Sequence, residues 1–340
     1  MADYATESAR KLLQELKMTA GKYAVFALSA RKKYTSLMLN QEPEVRRIFI
    51  KAGDQVSKEI RSLRQRGYGS QLNERYLDPL MKTLRETNIP QSLRERMNQY
   101  IIKGVDAGTG YSFDVTKLHL SSAKIPVEPL ERMIFRTNKQ AVDAMWARSE
   151  NGLMLSDRVW QKGIKARHTM TEIIQDGIRN GEDPVKTARF LEKYVRSGKK
   201  TLSGDYPEMM DRMGNRIPSD LSYEALRLVR TETAAAFGEG TIAAARVSPS
   251  YSGMKWVLSG AHPKPDICDD LAAADHDLGR GVWPVGQEPH MPAHPNCLCV
   301  LIAVHEDLDL FMERLNQWTK SPASQPDLEN WYENVYSKVA

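Results

Sequence analysis

At 340 residues, 41% apolar and 27% charged, the chain has the make-up of a globular protein of roughly two domains and is too apolar for wholesale disorder. Its longest near-apolar run, residues 297–304, is far short of the roughly 20 residues that span a bilayer. No apolar core follows a basic start at the front, so no signal peptide is read and the chain is expected to be soluble and cytoplasmic when made. The net charge of +5 hides an asymmetry: 21 Lys and Arg face 13 Asp and Glu over residues 1–120, 22 face 17 over 121–255, and 5 face 13 over 256–340. A basic front and an acidic end suggest surfaces with different partners.

In chain order, residues 8–34 read as a helix through Leu12, Leu16, Tyr23 and Phe26. Pro43 is expected to open a second helix through Val45, Phe49, Val56, Ile60 and Leu63, ending near Gly67. Short helices follow over 72–87 and 90–103. The Gly- and Ser-rich stretch 104–122 suits a linker. A helix over 127–149 comes next, then one capped by Ser156 and stopped at Asn180-Gly181. Asp183-Pro184 supplies an N-cap and a first-turn proline for a helix running to Gly198. Residues 198–218 read as a connecting loop. A long helix spans 219–245, in which Gly238 and Gly240 mark either a break or a close approach. Beyond Pro249 the character changes to two short strands, 254–258 and 297–304, separated by nearly 40 residues dense in Pro, Gly, Asp and His. Residues from 309 return to helix before a loose acidic end.

The expected fold class is therefore α+β and predominantly α-helical. It divides into a basic helical region 1–120, a helical middle 121–218, a small α+β module 219–308 with a long Cys/His-rich loop, and an acidic tail 309–340.

All three cysteines, 268, 297 and 299, and five of the seven histidines lie after residue 256. An odd count excludes complete pairing within the chain, and in a reducing compartment such a cluster suggests a metal site. Zinc takes four ligands from thiolate and imidazole. Cys268, His294, Cys297 and Cys299 are the expected set, with His262 and His290 as alternates. Such an ion would staple a loop too long to hold itself. A catalytic ion would need a base such as Asp266 or Glu232, but no His-Glu-x-x-His, deaminase, phosphate-loop or Gly-x-Ser-x-Gly pattern accompanies it. No catalytic residue is assigned.

Three features together resemble the head morphogenesis, or minor head, proteins of tailed bacteriophages, the family typified by the Mu F protein. They are Arg230-Thr-Glu232 on a helix, a strand bearing Trp256 that leads to Asp266-Ile-Cys268, and the closing Pro292-Ala-His-Pro295-Asn296-Cys-Leu-Cys299. The resemblance covers about residues 127–305. Leu298 stands where such proteins usually carry arginine, and Leu271 where many carry a second cysteine. The resemblance implies a virion component that joins the portal during procapsid assembly in the host cytoplasm. It would reside in the capsid interior or at the portal vertex, with portal and capsid or scaffolding proteins as partners and no membrane contact before infection. Relatives are linked to DNA packaging or delivery. Double-stranded DNA would suit the basic front through Arg31, Lys32, Lys33, Arg46, Arg47, Arg61, Arg64 and Arg66. The competing expectations are a zinc-dependent hydrolase or transferase and a general DNA-binding module. Arg230 and Glu232 are expected to form a structural ion pair or loop anchor, and Trp256 to be a core aromatic.

Overall fold

In the computed structural model, which describes residues 2–259 and 265–339, the chain is α+β and mostly helical, as the sequence implies. Helix α1 (Ala2–Ala20) ends at Gly21, whose φ of 51° suits glycine, and a 3-10 turn leads into α2 (Ala24–Gln65). Pro43 opens no helix but lies inside α2. It removes one ladder hydrogen bond. The buried stripe Val45, Phe49, Ala52, Val56, Ile60 and Leu63 nevertheless continues in steps of three and four residues and carries the helix through.

Helices α3 (Leu77–Glu86) and α4 (Ile89–Ser122) follow. The expected linker at 104–122 is thus helix. Gly108 within it is a packing residue: a Cβ there would lie 2.1 Å from the carbonyl oxygen of Phe237 on a later helix, whose Gly240 answers it, since a Cβ on that residue would lie 2.4 Å from the carbonyl oxygen of Val105. After α5 (Glu128–Ala147), strands β1 (Ser149–Glu150) and β2 (Leu153–Met154) form a hairpin. The turn residues Asn151 and Gly152 both have positive φ, as a two-residue hairpin turn demands. Helix α6 (Leu155–Arg179) starts one residue before the expected Ser156 cap, and the Asp157 carboxylate accepts the Met154 N–H at 3.1 Å.

Asp183 caps α7 (Pro184–Ser197) as expected, accepting from the Lys186 N–H at 2.9 Å. The expected loop 198–218 contains two short helices, α8 (Leu202–Asp205) and α9 (Pro207–Met213), fixed by fully buried Leu202, Met209 and Met213. Helix α10 (Tyr223–Arg246) is unbroken, so Gly238 and Gly240 mark close approach. The remaining elements are β3 (Tyr251–Val257), α11 (Ile267–Ala273), β4 (Val282–Trp283), β5 (Val300–His305), α12 (Leu308–Lys320) and α13 (Pro326–Trp331). The acidic end is not loose. Trp331 and Tyr336 are buried, and the Trp331 indole donates to the Val247 carbonyl at 2.9 Å.

The chain divides into two units interleaved along the sequence. One takes the segments ending at Leu39, spanning 100–147 and starting at Arg230; the other takes 40–99 and 148–229. The boundaries drawn from sequence at 120, 218 and 308 fall inside these segments. In the first unit an antiparallel sheet of order β4-β3-β5 pairs Trp256 with Leu301, and α1 packs against β3 and β5. Its core joins Leu16, Tyr34, Phe237, Trp256 and Ile302 to all three cysteines. The second unit packs α3 and α7 against α6, burying Leu80, Met170, Ile173, Phe190 and Tyr194.

Candidate metal centre

The closing motif acts first as a turn. His294 accepts the Cys297 N–H at 3.2 Å, Pro295 occupies the second position and Asn296 the third with a φ of 61°. Proline followed by a residue tolerant of positive φ is the pattern of a type II turn. β5 begins only at Val300, and ahead of it Cys297 and Cys299, two residues apart, are both buried with Leu298 exposed between them, the alternation of an extended chain. Both reach the interior, 1% and 2% exposed.

Cys268 arrives from the other end of the loop. Asp266 caps α11, accepting the Cys268 N–H at 2.8 Å, while Asp269 accepts the Asp266 N–H at 2.8 Å. This reciprocal cap points the Cys268 side chain inward, where it is fully buried. Its Sγ lies 3.6 Å from that of Cys297. A disulfide would need about 2.05 Å. Sulfurs sharing a tetrahedral ion at about 2.3 Å would sit roughly 3.8 Å apart, so the spacing suits a shared ion and not a bond.

The ligand atoms of Cys268, Cys297 and Cys299 all lie within 4.8 Å of one another, and so do those of Asp266, Cys268 and His294. Cys268 belongs to both groups. Each could hold a metal ion. Half-buried His294 and exposed Asp266 form the outer edge, Nε2 to Oδ2 at 3.3 Å. Cys299 accepts the Ser259 N–H at 3.3 Å, a hydrogen bond that favours thiolate. Within the triad Cys297 gives up its proton first, pushed down to about 5 chiefly by the hydrogen bond from Cys299. Cys299 is pushed up by that same bond and by burial, and Cys268 chiefly by burial. A cation bound among them would supply what the three thiols need to ionise together.

The other expected residues fall elsewhere. His290 is exposed and belongs to neither group. His262 lies outside the described residues. Glu232 is 2% exposed on α10, with Arg230 half-buried two residues before it. Trp256 is a core residue, 1% exposed. A feature not singled out in the sequence is Glu288, gripped by Arg246 through both oxygens at 3.2 and 2.6 Å and by the Tyr251 hydroxyl at 2.9 Å. It ties the loop ahead of His294 to α10. Its carboxyl is held down to about 2 against burial, with Arg246 the largest cause in that direction.

The eight expected DNA contacts separate into three kinds. Arg46 pairs with Asp220 at 2.8 Å, Arg61 with Glu192 at 2.7 Å through both nitrogens, Arg64 with Asp183 at 3.3 Å, and Arg66 with Glu59. Arg31 turns inward, with a buried Nη1. Lys32, Lys33 and Arg47 are exposed. Four of the eight therefore already meet carboxylates, which reduces what they can offer a phosphate backbone. Among the described residues no helix is long and apolar enough to cross a membrane. No protein-family model, characterised protein or solved structure matches this chain.

Proposed function

We propose that the chain is a structural minor head protein of a tailed phage or prophage. In this reading it assembles with the portal and with capsid or scaffolding protein, and its Cys/His-rich loop is stapled by zinc. The observation that carries it is the fate of the closing motif. Its Pro-Asn pair makes a turn whose product is a buried thiol cluster continuous with the core. Three converging thiols form a soft donor set that suits zinc. Their near-complete burial suits a closed structural site in which binding free energy becomes folding free energy. His294 is the fourth ligand in this reading, and Asp266 serves as helix cap. DNA contact, if made by the expected front residues, falls to Lys32, Lys33 and Arg47, which remain exposed.

Two measurements test the reading. Elemental analysis of protein purified under reducing, chelator-free conditions should give about one zinc per chain; a value near zero removes the metal. Mass spectrometry of purified virions or procapsids should find the chain; its absence removes the assembly role. A second reading, a zinc-dependent hydrolase or transferase, draws support from the solvent-facing Asp266–His294 edge. Loss of an activity in Asp266→Asn and Glu232→Gln, with folding and assembly intact, would favour it.

A further inference from the structure

Helix α2 sorts its cations by face. Arg46, Arg61 and Arg64 meet carboxylates that the fold brings to them, Asp220, Glu192 and Asp183. Arg47, Lys51 and Lys58 are exposed and, among the described residues, form no ion pair. At about 100° per residue these three fall within about 40° of one another around the helix, in a row about 16 Å long. Two hollows open on this row. One, of about 240 Å³, is lined by Arg47 and Lys51 of α2 and by Ser92 and Gln99 of α4. The other, more open, is lined by α2 alone and includes Arg47, Lys51, Gln55 and Lys58. The carboxylates at their rims are largely spent. Glu44 takes Arg96 at 2.8 Å and Asp54 takes Arg196 at 2.8 Å. Glu95, which accepts the Gln91 amide at 3.0 Å, is the lining carboxylate left without a cation among the described residues.

Three cations therefore stand along one edge against a single uncompensated carboxylate. Arg47 and Lys51, four residues apart on a helix, repel each other, and an anion in the hollow between α2 and α4 reverses that repulsion. The Ser92 hydroxyl and the Gln99 amide add neutral donors there. The row is too long for one phosphate group. A strand of duplex DNA presents a phosphate about every 3.4 Å along its axis, so several can lie beside it. We propose that Arg47, Lys51 and Lys58 bind the phosphodiester backbone of a nucleic acid, with one phosphate seated in the hollow between α2 and α4. Such contacts position the nucleic acid and read no sequence. The proposal rests on the DNA contact in the reading above and relocates it: Lys51 and Lys58 join Arg47, while Lys32 and Lys33 belong to the other unit and take no part.

The test is a fluorescence-anisotropy titration of the full-length protein against a short DNA duplex, between about 50 and 200 mM sodium chloride. Wild-type affinity should fall steeply with salt. Arg47→Gln/Lys51→Gln/Lys58→Gln should bind about 10- to 100-fold more weakly at about 100 mM, with a log–log salt slope shallower by about 2.7, the value of three phosphate contacts. Each single substitution should take about 0.9 from the slope, a readout that stands even if the triple variant folds poorly. Lys32→Gln/Lys33→Gln/Lys103→Gln removes the same charge from exposed positions of the other unit and should change the slope by less than about 0.9. Equal weakening by the two triple variants would reflect net charge alone and overturns the proposal. A loss confined to the Lys32 variant overturns it too and leaves DNA contact standing. Orthophosphate that displaces the duplex more strongly than sodium chloride at equal ionic strength would assign the hollow to a small phosphate ligand and overturn the backbone assignment. A wild type that does not bind the duplex even at the lowest salt overturns the DNA contact itself, and this proposal with it.

Discussion

In the unit formed by residues 40–99 and 148–229, buried and half-buried charges meet in pairs. The Asp176 side chain, 4% exposed, lies between Arg212 and Arg216, Arg61 grips Glu192, and Glu224 joins Lys162 to Lys165. In the unit that carries the cysteines, the interior is instead satisfied largely by neutral groups. The Tyr23 hydroxyl donates to the Glu306 carbonyl at 3.0 Å and lies 2.9 Å from His119 Nε2, which therefore donates to it. His305 sits between Ser112 and Ser250, at 3.2 and 2.9 Å. The contrast shows that a basic composition need not make a basic surface. In the paired unit most of the arginines expected to face DNA are committed to carboxylates within the fold. In the other unit, the one arginine of that set turns its Nη1 into the interior over the Tyr34 ring.

Metal removal should separate the two most sharply. A structural zinc can contribute on the order of 10 kcal/mol to folding. A strong chelator should therefore abolish hydrogen-exchange protection over 251–305 while leaving α6 and α7 protected. Equal loss in both units would mean that they are one cooperative body.

Acid should discriminate next. Burial pushes His119 down to about 4 and His305 to about 3, from an ordinary value of 6.5. The folded state needs them neutral while the unfolded chain protonates them, so their contribution is complete above pH 6.5 and is lost as pH falls from there towards 4. For His119 alone this amounts to about 3 kcal/mol. In the paired unit Glu192 is held low chiefly by the hydrogen bond from Arg61, and Glu224 chiefly by that from Lys165. Their contribution is present above 4.5 and is lost only below it. Exchange measured between pH 6.5 and 4.5 should show the cysteine-bearing unit loosening first, and His119→Gln should flatten that decline.

A smaller effect is expected from Gly108→Ala. The added Cβ meets the Phe237 carbonyl at 2.1 Å, so α4 and α10 must separate, at a cost of about 1–3 kcal/mol in urea denaturation. Gly204→Ala, with nothing within 4 Å of its Cβ, should have no such cost. The smallest effect is Arg61→Ala. Both partners are about one-third exposed, so the loss should stay under about 1 kcal/mol and shrink further at high salt.

Legibility in the sequence followed the range of the forces involved. The Asp183-Pro184 start, the Asn180-Gly181 stop and the change to strands after Pro249 act within a few residues, and all appear in the fold. Asn151-Gly152 carried an equally local hairpin signal that the helical reading of its surroundings hid. The glycines of 104–122 were misleading because glycine breaks an isolated helix, yet here it admits a second helix at a distance no Cβ would allow. Pro43 misled for the same reason: its local penalty is outweighed by a buried stripe that continues past it. In the candidate site the three thiols and His294 could be named from spacing. Ser259 and the Arg246–Glu288 clamp could not, because their partners lie tens of residues away.

The sequence by itself determined the helical class, the two strands that flank the long loop, and the confinement of thiols and most imidazoles to that loop, since these follow from composition and local backbone preference. Tertiary structure alone decided that α2 and α4 run unbroken, that four of the arginines read as a nucleic-acid face are paired with carboxylates, and that Cys268 meets Cys297 and Cys299 in the core. Each of those outcomes depends on which distant group fills the space beside a residue, and no residue carries that information on its own.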